Sequence, residues 1–150
     1  MKPSPYMDQA LAQAELARAR GEVPIGAVLV DWRTGAVVAA NGNRTLADHD
    51  PTAHAEMLVL RAAAAAEGNE RLSAMDLYVT LEPCAMCAAA IALARIRRLV
   101  YGAPDPKGGG VDHGPRIFTQ PTTHHRPEVI AGVGEARAAE LLRTFFAERR

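Results

Sequence analysis

Stretches of helical period alternate along this chain with short apolar, β-branched runs, and that alternation limits the possible folds more than anything else in the sequence. Ser4-Pro5 reads as an N-cap followed by proline at the first helical position, and Met7, Leu11 and Ala14 recur at helical spacing, predicting a helix from Pro5 to Arg20. Ile25–Val30 and Ala36–Ala40 predict a hairpin about the turn Arg33-Thr34-Gly35, closed by Asn41-Gly42-Asn43. There follow a helix over Ala53–Ala66 ending at Gly68-Asn69, a strand over Leu77–Leu81, a helix over Pro83–Ala94 and a strand over Leu99–Tyr101. Residues 103–127 are rich in proline and glycine and predict a long functional loop with one short helix near Pro115–Gln120. Val129–Val133 predicts a last strand, and Ala136–Glu148 a last helix with Ala139, Leu142, Phe145 and Phe146 on one apolar face. Such alternation points to an α/β layered fold with helices on both faces of one sheet. With 150 residues and no repeat or linker, the expectation is a single domain, 1–150.

Composition narrows the setting. The chain is 49% hydrophobic and 23% charged, close to the globular average. Lys2, Asp8, Glu15, Arg18 and Arg20 interrupt the first twenty residues, so they do not read as a signal peptide. The longest apolar run, Cys84–Ala94, is eleven residues, against the roughly 20 needed to cross a bilayer, so no membrane association and a cytoplasmic location are expected. The net charge is zero but uneven: residues 1–90 carry 7 Lys+Arg against 11 Asp+Glu, and residues 91–150 carry 10 against 6. An anionic partner on the C-terminal side is therefore permitted.

The only two cysteines, Cys84 and Cys87, are too close together to staple the fold and read instead as chemistry. At i and i+3 on a helix they share one face, and Pro83 marks that helix's start, where the positive end of the dipole favours the thiolate that binds metal. His54 is the natural third ligand, since it too lies near a helix start. Two Cys and one His leave a tetrahedral zinc with a fourth position for water. Glu56, two residues on from His54, points elsewhere and suits a proton carrier beside that water. Taken singly, each residue has a plainer explanation: His54 as a hydrogen-bonded core residue, Glu56 as a helix-start acid, the cysteines as a thioredoxin-like redox pair. Helix three, CAMCAAAIALA, is apolar all round and is expected to be buried on every side.

His-x-Glu with Pro-Cys-x-x-Cys resembles the zinc-dependent nucleoside and nucleobase deaminases. EVPIGAVLV (Glu22–Val30), Asn43-Arg44, DPTAHAE (Asp50–Glu56), LYVTLEPCAMC (Leu77–Cys87), ARIRRLVYGAPDPKGG (Ala94–Gly109) and FFAERR (Phe145–Arg150) extend the resemblance to the bacterial tRNA-specific adenosine deaminases over nearly the whole chain. The resemblance implies a three-layer α-β-α fold with a central mixed sheet of about five strands, and a homodimer. It implies one zinc per subunit on His54, Cys84 and Cys87, Glu56 as proton donor and acceptor, and Asn43 as a contact to the base. The implied reaction converts adenosine to inosine at the wobble position of a tRNA anticodon, in an arginine tRNA. Asp105, Lys107 and Gly108–Gly110 would lie in the loop nearest that RNA. His124, His125, Arg126, Arg143, Arg149 and Arg150 are candidates for its phosphates, or simply solvated. His-x-Glu and Pro-Cys-x-x-Cys fix the chemistry and not the base, so a deaminase of free guanine, cytosine, cytidine or dCMP stays open, as does a zinc-bearing binding or redox module.

Overall fold

The computed structural model describes residues 4–149. Helix α1 (Pro5–Ala19) begins where the Ser4 hydroxyl accepts from the Met7 N–H at 3.2 Å. Strands β1 (Gly26–Asp31) and β2 (Ala36–Gly42) form the expected hairpin, although β2 runs two residues further than the sequence suggested, so that the loop begins only at Asn43. Then come α2 (Ala55–Glu67), β3 (Met75–Leu81), α3 (Ala85–Leu93), β4 (Arg98–Ala103), a short 3-10 turn at Ile117–Thr119 inside the long loop, β5 (Glu128–Ala131) and α4 (Glu135–Ala147). Gly68 ends α2 in the left-handed conformation, φ 63°, where a side chain would be strained.

The five strands form one mixed sheet in the order β2-β1-β3-β4-β5, with β1 antiparallel to both neighbours and β3, β4 and β5 parallel. All six residues of β1 are buried, which is why its apolar run is nearly continuous, whereas most residues of the edge strands β2 and β5 are exposed or half-buried. Successive side chains point to opposite faces. Ala27 and Leu29 meet α2 and α3 through Val59, Ala63, Ala88 and Ile91, while Val28 and Val30 meet α1 and α4 through Met7, Leu11 and Ala138. The result is three layers, as the resemblance implied. No helix among the described residues is long and apolar enough to cross a membrane.

Two helical expectations are corrected. Helix α3 is not buried all round: Cys87, Ala88, Ile91 and Ala92 face the core, but Leu93 is 73% exposed beside a groove shared with α2. An apolar sequence shows only that a surface is apolar, not that something covers it. On α4 the core face is Ala138 and Phe145, while Phe146 is 49% exposed, since neighbours in a helix differ by about 100° and only one of two adjacent phenylalanines can point inward.

The layers meet closely because small residues line the seam. A Cβ on Gly26 would lie 2.0 Å from the carbonyl oxygen of Ala10 and 2.5 Å from the Ala14 nitrogen, so α1 lies directly on the β1 backbone. Gly26→Ala is therefore expected to destabilise the fold by about 3 kcal/mol, the upper end of the cost of overpacking, because backbone atoms cannot rotate away. Urea unfolding at constant m-value measures it, and a midpoint equal to the parent's would refute the close seam.

Candidate metal centre

The chemistry gathers at the starts of α2 and α3. His54 is the N-cap of α2 (φ −73°, ψ 151°) and Cys84 the N-cap of α3 (φ −70°, ψ 174°), so neither lies within its helix, and Cys87 follows in the first turn. The expected helix start at Pro83 is thus two residues early, and Cys84 shares a face with Cys87 as an extended cap whose side chain lies over the first turn. His54 Nδ1 lies 3.7 Å from Cys84 Sγ and 3.5 Å from Cys87 Sγ, and the three ligand atoms lie within 4.8 Å of one another. Tetrahedral zinc, with N at about 2.0–2.1 Å and S at about 2.3 Å, places such N and S atoms roughly 3.6 Å apart. The donor set and its spacing therefore fit zinc. Around this cluster the Cys84 thiol is held down to about 4, first by hydrogen bonding with Cys87 and then by His54, against the effect of burial. Cys87, the donor in that pair, is pushed up, and hydrogen bonding to Cys84 raises His54.

Glu56 is the second residue of α2 and is 4% exposed. Burial, more than any neighbour, pushes its carboxyl above the usual carboxylate range, with the Cys84 charge adding and His54 opposing. A raised carboxyl pKa suits a group that must both take and give a proton near neutrality.

The loop into α2 is tied down by polar groups. Asn43 is buried and its Oδ1 accepts from the Ala55 N–H at 2.9 Å, supplying the cap that the His54 side chain does not, while its own carbonyl accepts from Arg20 at 3.1 Å. Asn43 thus stands next to His54 with a structural task of its own. Lys107 is exposed, and Asp105 Oδ1 accepts from the N–H groups of Lys107 (3.2 Å) and Gly108 (2.9 Å), closing a turn. These two residues border a cleft of about 510 Å³ with Val23, Leu142 and Phe146; neither His54 nor either cysteine lines it. Among the candidate phosphate contacts, His125 meets the Ile96 carbonyl at 2.7 Å and Arg149 stacks over Phe145 at 3.5 Å, while His124, Arg126 and Arg143 are exposed. Arg150 lies outside the described residues.

Of the buried carboxylates given no role in the sequence reading, two organise loops. Glu22 accepts from Thr45 Oγ1 and the N–H groups of Leu46 and Ala47 at 2.9–3.2 Å, holding the loop before α2. Glu82, directly before Pro83, holds the loop after β4. Burial opposes its charge, but hydrogen bonds from Asp105, His113, Asp112 and Val111 keep its carboxyl below the ordinary range. The available signal was an acid at the end of an apolar strand run, in EVPIGAVLV and LYVTLEPC.

Residues 1–103 match the profile of the cytidine and deoxycytidylate deaminase zinc-binding region. The chain belongs to the cytidine and deoxycytidylate deaminase family. This deaminase is 59% identical over 145 residues to the tRNA-specific adenosine deaminase of Agrobacterium fabrum, covering 97% of its own length and 94% of the relative's. A structure solved in studies of A-to-I editing by tRNA:A34 deaminases at the wobble position of transfer RNA is 59% identical, with TM-score 0.89 over 91% of this chain and 98% of that one. A guanine deaminase from Bacillus subtilis shares 29% identity, with TM-score 0.65 over 99% and 94%. The three-layer fold is that of the family.

Because Asn43 supplies a buried acceptor to the first turn of α2, Asn43→Ala should lower stability by about 1–3 kcal/mol through the orphaned Ala55 N–H. Chemical denaturation tests this, and an unchanged midpoint would mean that water replaces the cap.

Proposed function

We propose that this deaminase hydrolyses the exocyclic amine of an adenosine at the wobble position of a tRNA anticodon, leaving inosine and releasing ammonia, with an arginine tRNA as substrate. The observation that carries the reading is the meeting of His54, Cys84 and Cys87 at two helix starts, with Glu56 buried in the first turn of α2. The choice of base is supported by 59% identity to a tRNA-specific adenosine deaminase, against 29% to a guanine deaminase.

His54, Cys84 and Cys87 would hold one zinc per subunit, which when bound would lower the pKa of a water molecule to about 7 and so supply the nucleophile at neutral pH. Glu56 takes a proton from the attacking water and gives it to the ring nitrogen. That transfer accompanies formation of the oxygen–C6 bond; Glu56 then takes the remaining proton of the added oxygen and delivers it to the amine as the C6–amine bond breaks, releasing ammonia and leaving the carbonyl of inosine. Asn43 contacts the base, and Asp105 and Lys107 face the flanking RNA; an anticodon loop suits such a site because its bases can be splayed out and read singly. The chain acts as one zinc-dependent domain in the cytoplasm. It pairs as a homodimer, for which the exposed Leu93 and the groove between α2 and α3 offer an apolar face.

Incubating a tRNA transcript with the enzyme should convert the wobble adenosine to a base read as guanosine in sequencing. Rapid ammonia release from free guanine or cytidine, with the RNA untouched, would transfer the assignment to a base or nucleoside deaminase. Glu56→Gln should keep its zinc and lose at least about 100-fold in kcat, whereas Cys87→Ser should lose zinc on dialysis against a chelator. Undiminished turnover in Glu56→Gln would remove that residue from the chemistry.

A further inference from the structure

Glu82 is 2% exposed, and the chemistry above does not use it. Its carboxylate accepts five hydrogen bonds, all from one loop: Oε1 from the Asp105 N–H (3.0 Å) and His113 Nδ1 (2.7 Å), and Oε2 from the N–H groups of Val111 (3.2 Å), Asp112 (3.0 Å) and His113 (3.1 Å). The glycines in that loop are there for close approach. A Cβ on Gly109 would stand 2.4 Å from Glu82 Oε2, and one on Gly110 would stand 2.6 Å from the Ala85 nitrogen and 2.8 Å from the Cys84 carbonyl carbon. The loop backbone therefore rests on the carboxylate and on the turn that carries Cys84. Further bonds fasten it: Gly110 N–H to the Pro83 carbonyl at 2.8 Å, and the Tyr101 hydroxyl to Asp112. A carboxylate is costly to bury unless its lone pairs are filled, so five donors converging on one acid hold a loop of little regular structure in one conformation.

We propose that Glu82 is a positioning residue for RNA binding: it gathers residues 105–113 into a rigid wall seated on the start of α3, presenting Asp105 and Lys107 at a set place relative to the metal centre without touching metal or base. Glu82 has this role only if the chain acts on tRNA as proposed above. Glutamine is nearly the same size, but one of its two terminal atoms becomes a donor and faces backbone N–H groups. Loosening the wall weakens binding of the RNA more than it alters the reaction of bound RNA, because Glu56 and Cys87 stand in the first turns of α2 and α3 and His54 and Cys84 cap those helices.

The test is Glu82→Gln on the full chain, with zinc content, melting temperature, KM and kcat measured on an anticodon stem-loop. Zinc should stay at the parent level, KM should rise about tenfold or more, and kcat should stay within about threefold. In the double variant with Lys107→Ala the two effects on KM should not add, because Glu82 acts through the loop that carries Lys107. An unchanged KM overturns the proposal, whether zinc departs, which would place Glu82 in the metal site, or activity falls only with the folded fraction, which would make it purely structural. Should Glu82→Gln fail to fold, Gly109→Ala leaves the buried charge in place and presses a methyl group onto Oε2 from the loop side. It should raise KM with zinc retained, and an unchanged KM again overturns the proposal. A parent enzyme that forms no inosine would instead remove the tRNA reading on which Glu82's role depends.

Discussion

Helices α2 and α3 start at the same point above one face of the sheet, and the chemistry of this chain depends on that meeting. His54 caps one helix and Cys84 the other, with Cys87 one turn in, so any change in how the two helices pack alters the distances among three ligand atoms at once. The positive ends of two helix dipoles point into the same volume and favour thiolate over thiol there. Alanine makes the approach possible. Ala55, Ala63, Ala88 and Ala92 are all buried in the shared core, and larger side chains at these positions would hold the helices apart.

A second constraint governs the loops. The segments leading into α2 and out of β4 have little regular structure, and each is organised around a buried acid: Glu22 for residues 45–47 and Glu82 for residues 105–113. A buried carboxylate is tolerated only when its acceptors are filled, so each acid sets the path of the backbone that fills them. Asn43 works in the same way at smaller scale, capping α2 beside His54. These loops are thereby held by buried hydrogen bonds, while side chains on them, such as Lys107, stay exposed.

Element type was legible because the apolar positions of α1 and α2 recur at helical spacing while β1 and β3 are short, nearly continuous apolar runs, and punctuation such as Ser4-Pro5 and Gly68 marks the ends. The layering followed from the order of those elements. The candidate ligands were legible too, because His-x-Glu and Pro-Cys-x-x-Cys place rare donor types at spacings that few other purposes require. What periodicity misjudged was coverage. The exposed Leu93 and Phe146 have the same residue types as buried ones, and burial depends on whether another element lies opposite.

By itself, then, the sequence determined which segments are helix and strand, their stacking about one sheet, and which side chains can bind metal or carry a proton, since these follow from short-range pattern and functional groups. Only the tertiary structure decided that His54 comes within bonding reach of one ion shared with two cysteines 30 and 33 residues further along the chain, that Cys84 caps α3 and is not inside it, and that Gly109 and Gly110 exist to let a loop rest on Glu82 and on the Cys84 turn. The reason is physical. Distances between segments are set by packing and by the hydrogen bonds of buried acids, and neither leaves a periodic trace along the chain.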